Sequence, residues 1–243
     1  MNKIVIVTGA SSGLGLSLAK KFVEAKNIVV GISKTKKNWP AATKTIGEKD
    51  RFTLYQCDLT SEAKVKTLIG KIKKKFKCID VLVNSAGYAK GLTTVDKTTL
   101  GDFQKHVADN LQTAFLMSKH VIPYMRKQKE GVILNVASMA GKRAVPKLFS
   151  YSASKFGMVA LSQAIAKENE DAGIKCVSIC PGGVNTKMRA QLFGKADAQK
   201  QQSPDFVAGL VYQVSADKID VESGGDIVIR HNEITEINPC PAP

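Results

Sequence analysis

The chain has 243 residues, 44% of them hydrophobic, which is enough for one domain with a single large core. Its formal net charge is +15, a value that would suit a nucleic-acid-binding protein. The densest lysine run, residues 64–77, however keeps apolar residues at helical spacing: Val65, Leu68, Ile69, Ile72 and Phe76. The lysines therefore cover the solvent face of an amphipathic helix, and we expect no nucleic-acid partner.

The alternation of short apolar segments with longer amphipathic ones predicts the architecture. Strands are predicted over residues 4–8, 28–32, 52–57, 81–84, 132–136, 177–180 and 226–229. Helices are predicted after the first strand, from residue 60, over residues 99–120, around Tyr151 and from Ser203-Pro204. Such βαβ units predict a doubly wound, Rossmann-type α/β fold, with a parallel sheet between two helix layers and residues 1–243 in one domain.

The five cysteines are scattered along the chain, at Cys57, Cys78, Cys176, Cys180 and Cys240. Their spacing indicates neither a disulfide framework nor a metal site, as is typical of a reducing compartment. The first residues enter a strand pattern at once, and no apolar run is long enough to span a bilayer. We therefore expect a cytoplasmic protein with no membrane segment and no bound metal.

Ligands of such folds bind beyond the carboxyl ends of the strands, so the residues that follow each strand are the candidate site. The first strand is followed by Thr8-Gly9-Ala10-Ser11-Ser12-Gly13-Leu14-Gly15. Glycines let this turn approach a pyrophosphate, which the amino end of the next helix would hold. A plain glycine-rich turn between strand and helix is the structural alternative.

The second strand is followed by Ser33-Lys34-Thr35-Lys36-Lys37, and the first acid after it is Glu48. An acid usually holds the ribose 2′-hydroxyl of NAD at this point, whereas cations suit the 2′-phosphate of NADP. The loop therefore predicts NADP over NAD, with a merely solvated lysine loop as the alternative. After the third strand, Asp58-Leu59 is expected either to meet the adenine edge or, through Asp58, to cap the next helix.

Three further turns follow later strands: Asn84-Ser85-Ala86-Gly87, Asn135 to Gly141 with Ser138, and Pro181-Gly182-Gly183-Val184-Asn185-Thr186. Tyr151 and Lys155 are four residues apart and share one face of any helix that includes them. The lysine charge would lower the pKa of the phenol and suit it to proton transfer. Alone, this spacing is found on many solvated helix faces.

Taken together and in this order, these elements resemble the short-chain dehydrogenase/reductase family over roughly three quarters of the chain. The resemblance implies that Tyr151 is the acid/base residue, that Lys155 lowers its pKa and holds the nicotinamide ribose, and that Ser138 orients the substrate oxygen. Asn110 would complete the tetrad through a water-linked proton relay. The implied cofactor site, for NADP or else NAD, comprises Gly9, Ser11, Ser12, Gly13, Leu14, Gly15, Ser33, Lys34, Asp58, Leu59, Asn84, Ala86, Gly87, Tyr151, Lys155, Pro181, Gly182, Val184 and Thr186.

The substrate pocket is expected among apolar and aromatic residues, namely Tyr88, Met139, Phe149, Val184, Met188, Leu192 and Phe193. These favour a largely apolar carbonyl or alcohol substrate, unless some of them only fill the core. The polar segment 187–203 has the composition of a mobile lid. Gly224-Gly225 precede the last strand instead of ending it, which departs from the family pattern. We therefore expect a homodimer, with a tetramer as the alternative.

The function predicted from the sequence is NADP-dependent hydride transfer between nicotinamide and a carbonyl or alcohol. An NAD-dependent dehydrogenase of the same family is the first alternative. A non-catalytic, cofactor-sensing protein is a second, although such proteins typically lack the tyrosine or the lysine. An epimerase-type relative would usually need a longer C-terminal region than this chain has.

Overall fold

In the computed structural model, which describes residues 2–242, one eight-stranded sheet forms the centre of the protein, with the strand order β3-β2-β1-β4-β5-β6-β7-β8. Strands β1 to β7 are parallel and β8 pairs antiparallel with β7. The strands are β1 Ile4–Thr8, β2 Ile28–Ser33, β3 Phe52–Gln56, β4 Val81–Asn84, β5 Gly131–Val136, β6 Ile174–Pro181, β7 Asp226–Arg230 and β8 Glu233–Asn238.

The helices cover both faces of this sheet. They are α1 Gly13–Glu24, α2 Trp39–Ile46, α3 Glu62–Phe76, α4 Leu100–His106, α5 Thr113–Gln128, α6 Phe149–Glu168, α7 Lys187–Phe193, α8 Lys195–Gln199 and α9 Pro204–Ser215. A π-helical segment, Val107–Gln112, joins α4 to α5. The predicted Rossmann-type α/β fold is therefore confirmed.

Successive side chains of each strand point to opposite faces of the sheet, so the core is divided into two layers. In β1, Val5 and Val7 pack into one buried cluster with α1 and α9, whereas Ile6 packs into the other with α3 and α5. Both faces of the sheet are covered, which explains why β1, β2 and β4 are largely continuous apolar runs and do not alternate in sequence. The sheet thus forms a rigid support, and the carboxyl ends of β1 to β7 lie along one edge.

The C-terminal strand β8 was not predicted. Its apolar residues, Ile234 and Ile237, are three positions apart, and a register shift between Val228 and Ile229 breaks the regular pairing with β7. A bulge of this kind removes the two-residue alternation by which a strand is recognised. His231 and Asn232 form the two-residue turn between β7 and β8, both with positive φ, as tight hairpins require.

The helical region before β5 is longer than expected. Helical residues run from Leu100 to Gln128, beyond the predicted end near residue 120 and past Pro123. The helix continues because Val121 and Met125 on its inner face are fully buried. The short helix α2 also went unpredicted, since only Ala42 and Ile46 of it are buried. Within residues 2–242, no helix is long and apolar enough to cross a membrane.

Candidate active site

The turn from β1 into α1 has the shape of a phosphate cradle. Gly9 and Gly13 have φ of +72° and +53°, a region that favours glycine. A Cβ on Gly15 would lie 2.3 Å from the Gly9 carbonyl oxygen, so only glycine fits there. The Thr8 hydroxyl accepts hydrogen bonds from the N–H groups of Ser85 and Ala86, both at 2.9 Å, and so fixes the turn after β4 beside this cradle.

Ser138, Tyr151 and Lys155 come together beyond β5. Ser138 follows β5, and its Oγ accepts a hydrogen bond from the Ala140 N–H at 3.1 Å. Tyr151 and Lys155 lie one turn apart in α6. A Cβ on Gly141 would lie 2.6 Å from the Lys155 carbonyl oxygen, so the absence of a side chain lets the serine turn pack directly against α6.

Lys155 is buried, with 4% of its surface exposed. Its Nζ donates to the Val136 carbonyl oxygen at 2.8 Å and lies 3.2 Å from Met158 Sδ. Burial lowers the pKa of Lys155 from 10.5 to about 8, against a smaller opposing effect of Cys180. The ammonium therefore loses its proton far more readily than an exposed lysine, which suits a group that passes protons.

The pKa of Tyr151 is raised, not lowered as the sequence predicted. Burial of the phenol is the larger cause, and a side-chain hydrogen bond with Ser138 opposes it. Lys155 Nζ lies 5.7 Å from the centroid of the Tyr151 ring, while its nearest partners are the Val136 oxygen and the Met158 sulfur. The predicted pKa shift was therefore wrong in sign for the ligand-free protein, because desolvation dominates.

Asn110 lies in the π-helical segment and is fully buried. Its Oδ1 accepts from the Tyr88 N–H at 2.8 Å, and its Nδ2 donates to the Tyr88 carbonyl at 2.9 Å and to Ser154 Oγ at 3.1 Å. A Cβ on Gly87 would lie 3.1 Å from Asn110 Oδ1 and 3.9 Å from Lys155 Nζ. The amide thus lies next to the Tyr151–Lys155 pair, and such π-helical segments are frequent at functional sites.

A cavity of about 870 Å³ extends along the carboxyl edge of the sheet. Its wall includes most of the predicted residues: Gly9, Ser12, Gly13, Leu14, Gly15, Ala86, Gly87, Ser138, Met139, Tyr151, Lys155, Pro181, Gly182, Val184, Thr186, Met188, Leu192 and Phe193. The wall also contains residues that sequence reasoning missed, among them Asn38, Arg143, Lys200, Arg230 and His231. Arg230 ends β7 and His231 follows it, so inspecting the end of that strand would have found both.

Several predicted cofactor residues lie away from this wall. Asn84 is interior and donates to Asn135 Oδ1 at 2.8 Å, and Leu59 belongs to the core. Ser33 accepts a hydrogen bond from Trp39 Nε1 at 2.7 Å. Asp58 Oδ1 accepts from the N–H and the hydroxyl of Thr60, at 3.2 and 2.8 Å, just before α3. Two further predicted cofactor residues, Ser11 and Lys34, and the predicted catalytic residue Asn110 also lie outside the wall.

Two predicted substrate residues also lie outside the wall of the large cavity. Tyr88 packs against His106, with ring centroids 5.0 Å apart. Phe149 stacks on Phe103 at 5.9 Å and lines a separate cavity of about 170 Å³. The segment 187–203 contains α7 and α8, which a salt bridge from Arg189 Nε to Asp197 Oδ1 holds together at 2.5 Å.

Comparison with known proteins identifies the family. A family model described as short chain dehydrogenase matches residues 3–197. The chain is 30% identical to 2-(R)-hydroxypropyl-CoM dehydrogenase from Xanthobacter autotrophicus over 233 residues, 93% of each chain. Among solved structures, it resembles ElxO with NADP bound, with a TM-score of 0.87, 26% identity and coverage of 94% of this chain and 97% of that one. It also resembles a 3-ketoacyl-(acyl-carrier-protein) reductase from Brucella melitensis complexed with NADH, with a TM-score of 0.86, 26% identity and coverage of 93% and 96%.

These matches confirm the resemblance seen in the sequence motifs, over a region that includes Ser138, Tyr151 and Lys155. The chain belongs to the short-chain dehydrogenase/reductase family and is an NAD(P)-dependent oxidoreductase acting on alcohol or carbonyl groups.

Proposed function

We propose that this protein is an NADP-dependent carbonyl reductase or alcohol dehydrogenase in which Tyr151 is the acid/base residue. The observation that supports this most directly is the meeting of Ser138, Tyr151 and Lys155 in the wall of one cavity, together with the glycine cradle after β1. A proton donor, an orienting hydroxyl and a buried cation are what hydride transfer to a carbonyl needs from the protein.

The residues present fit a dinucleotide. The Gly9–Gly15 turn leaves a cradle that a Cβ would fill, and it leads into the amino end of α1. When bound, the cofactor supplies the hydride. Gly9, Gly13 and Gly15 would hold its phosphates, and Lys155 and Thr186 would hold its nicotinamide half.

In the proposed reaction, Ser138 hydrogen-bonds the substrate oxygen and Tyr151 exchanges a proton with it. Burial raises the pKa of Tyr151 further above neutrality, so in the ligand-free protein the phenol has a proton that it can donate to the oxygen of a carbonyl substrate. Lys155, whose pKa is about 8, is poised to pass a proton onward. Asn110 holds the backbone of Tyr88 through two hydrogen bonds, and Gly87, the residue before Tyr88, lies next to both Asn110 and Lys155. In this proposal Asn110 therefore keeps open the route by which Lys155 exchanges protons with solvent.

The preference for NADP rests on the loop after β2. It contains Lys34, Lys36 and Lys37 and has no acid. Lys34 is exposed and lies 3.3 Å from Asp58 Oδ1 and 3.9 Å from Asp109 Oδ1, at the end of the sheet that would hold the adenosine. A 2′-phosphate would compete with these carboxylates for the Lys34 ammonium.

The same contacts favour NAD as the alternative cofactor. Asp58 and Asp109 already offset the charge of Lys34, and Ser33 is engaged by Trp39. A ribose 2′-hydroxyl would leave these contacts undisturbed. Comparing the thermal shifts caused by NADP⁺ and NAD⁺ decides between the two, and stronger stabilisation by NAD⁺ would overturn the NADP assignment.

The acid/base assignment is tested by Tyr151→Phe. Because the variant loses only the proton-donating hydroxyl, kcat should fall by about a thousandfold while the cofactor Kd stays within about twofold. Tyr124→Phe, in the outer helix α5, is the matched control and should leave kcat unchanged. Undiminished turnover in the Tyr151 variant would exclude the proposed mechanism.

We further propose a homodimer and a lid. Phe115 of α5 and Phe156 of α6 are each 44% exposed, and large exposed aromatic side chains on two neighbouring helices favour a self-complementary contact. The pairing of β8 with β7 covers the edge of β7 and so disfavours a tetramer built on that edge. Arg189 and Asp197 couple α7 to α8, so the segment 187–203 would open and close as one unit.

A further inference from the structure

The wall of the large cavity has a pronounced charge asymmetry. Within the described part of the chain, its lining contains no aspartate or glutamate. It contains six lysine and arginine residues, namely Arg143, Lys155, Lys187, Arg189, Lys200 and Arg230. A cleft lined by charges of one sign concentrates ligands of the opposite sign. Part of this charge serves the proposed chemistry or is neutralised, and the remainder has no role in the proposed hydride transfer.

Three of the six cations are accounted for. Lys155 belongs to the proposed proton relay. Arg189 is paired with Asp197 through two contacts of 2.5 and 3.0 Å, so its charge is neutralised. Lys187 follows Thr186, whose side chain lies 3.5 Å from the position of a Cβ on Gly13. Lys187 is therefore close to the glycine cradle and is available to the cofactor phosphates.

Arg143, Lys200 and Arg230 remain, and within residues 2–242 none of them forms an ion pair. Glu233 is the cross-strand neighbour of Arg230 but does not line the cavity. His231 lies beside Arg230 in the same wall.

The position of these cations separates them from the cofactor phosphates. The glycine cradle follows β1, whereas Arg143 follows β5 and Arg230 ends β7. In the strand order, β4, β5 and β6 lie between β1 and β7. At about 4.8 Å for each strand spacing, the end of β7, where Arg230 lies, is about 20 Å across the sheet from the end of β1 and about 10 Å from the end of β5, which Ser138 follows.

Arg230 is held firmly at this place. It is half-buried, and its Cγ lies 3.4 Å from the position of a Cβ on Gly182, so its stem packs on the turn after β6. The tight turn at His231 and Asn232 fixes the backbone directly after it. A guanidinium on such a support binds carboxylate or other oxyanions through paired hydrogen bonds.

We infer that the substrate bears an anionic oxygen group, such as a carboxylate, that binds to Arg230, with Arg143 and Lys200 adding to the attraction. The inference rests on the proposed function and refines it: the substrate is an oxo acid or hydroxy acid whose anionic group lies a few bonds from the reacting carbon. Met139, Met188, Leu192 and Phe193 would contact its apolar middle part.

Matched pairs of ligands test this inference. Levulinate and acetylbenzoate are each compared with their methyl esters, using protein saturated with whichever oxidised cofactor binds, so that no turnover occurs. At low ionic strength the acid should bind about tenfold or more tightly than its ester, and added salt should weaken only the acid. Arg230→Gln should remove this preference and leave the Kd of the ester unchanged. Arg143→Gln should reduce the preference less, and Lys74→Gln, on the outer face of α3, should not change it.

Equal Kd values of acid and ester in the wild type overturn the inference. Failure of both the acids and the esters to bind overturns it as well. So does a full preference retained in a folded, cofactor-binding Arg230→Gln variant. NADPH oxidation is measured in parallel with each pair. Reduction of the esters without any preference for the acids leaves the proposed function standing and removes only the anionic substrate. Absence of reduction with every ligand counts against the proposed function, while the binding ratio still decides on the anion.

Discussion

Lys155 is a buried ammonium, and replacing it with methionine should change how the stability of the ligand-free protein depends on pH. Burial lowers its pKa from 10.5 to about 8. Below about pH 8, both the folded and the unfolded chain hold the proton, and the full cost of the buried charge applies. Between about pH 8 and 10.5, only the unfolded chain still holds it. The wild type therefore becomes more stable as the pH rises through this window.

The magnitude follows from the two pKa values. Between about pH 7 and about pH 10, the buried lysine should add about 2.5 kcal/mol to the free energy of unfolding of the wild type. Lys155→Met has no titrating group at this position and lacks that increment. Loss of the hydrogen bond from Nζ to the Val136 carbonyl shifts the stability of the variant by an amount that is nearly constant with pH, so it cancels in the comparison.

Urea unfolding followed by circular dichroism measures this difference. The stability gap between wild type and Lys155→Met should change by about 2.5 kcal/mol across the pH range. Lys74→Met, the same substitution on the exposed face of α3, should show a gap that is flat with pH. A gap for Lys155→Met that changes by less than about 0.5 kcal/mol would refute the conclusion that this ammonium is desolvated.

Three further outcomes are expected. Gly15→Ala should weaken cofactor binding by more than about tenfold in a titration, because the new Cβ would lie 2.3 Å from the Gly9 oxygen. Gly70→Ala, where a Cβ has open space in α3, should leave cofactor binding unchanged and raise the free energy of unfolding by about 1 kcal/mol. Equal changes of cofactor affinity in the two variants would contradict the steric argument. The kcat/KM for carbonyl reduction should fall above about pH 8 as Lys155 loses its proton, whereas a flat profile to pH 10 would separate Lys155 from the reaction. Phe115→Glu should convert the proposed dimer to monomers in light scattering, and an unchanged mass would place any dimer contact elsewhere.

Much of the candidate site could be proposed from the sequence because its parts are encoded locally. The glycine turn, Ser138 and the Pro181–Thr186 turn each follow a recognisable buried strand, and a parallel sheet brings the ends of such strands to one edge. Four-residue spacing likewise places Tyr151 and Lys155 one helical turn apart. These inferences need only the order of strands and helices, which hydrophobic periodicity supplies.

Asn110 shows where this reasoning ends. Its residue type and place in the chain suggested a role, but its contacts with Tyr88 and Ser154 depend on a π-helical segment that no spacing rule indicated. The missed strand β8 is similar, since a bulge removes the alternation that would have marked it. The Asn110 contacts join residues 22 and 44 positions apart, whereas β8 pairs with the strand directly before it and only its irregular register hides it.

By itself, the sequence determined the Rossmann-type fold, the family and the edge of the sheet where the candidate active site lies. The tertiary structure alone decided the electrostatic environment of that edge: desolvation raises the pKa of Tyr151, Asp58 and Asp109 engage Lys34, and Arg230 packs beside Gly182. The physical reason is that the succession of strands and helices along the chain follows from local apolar patterns. The energy of a charge depends on the partners and solvent around it, and those are supplied by distant parts of the chain.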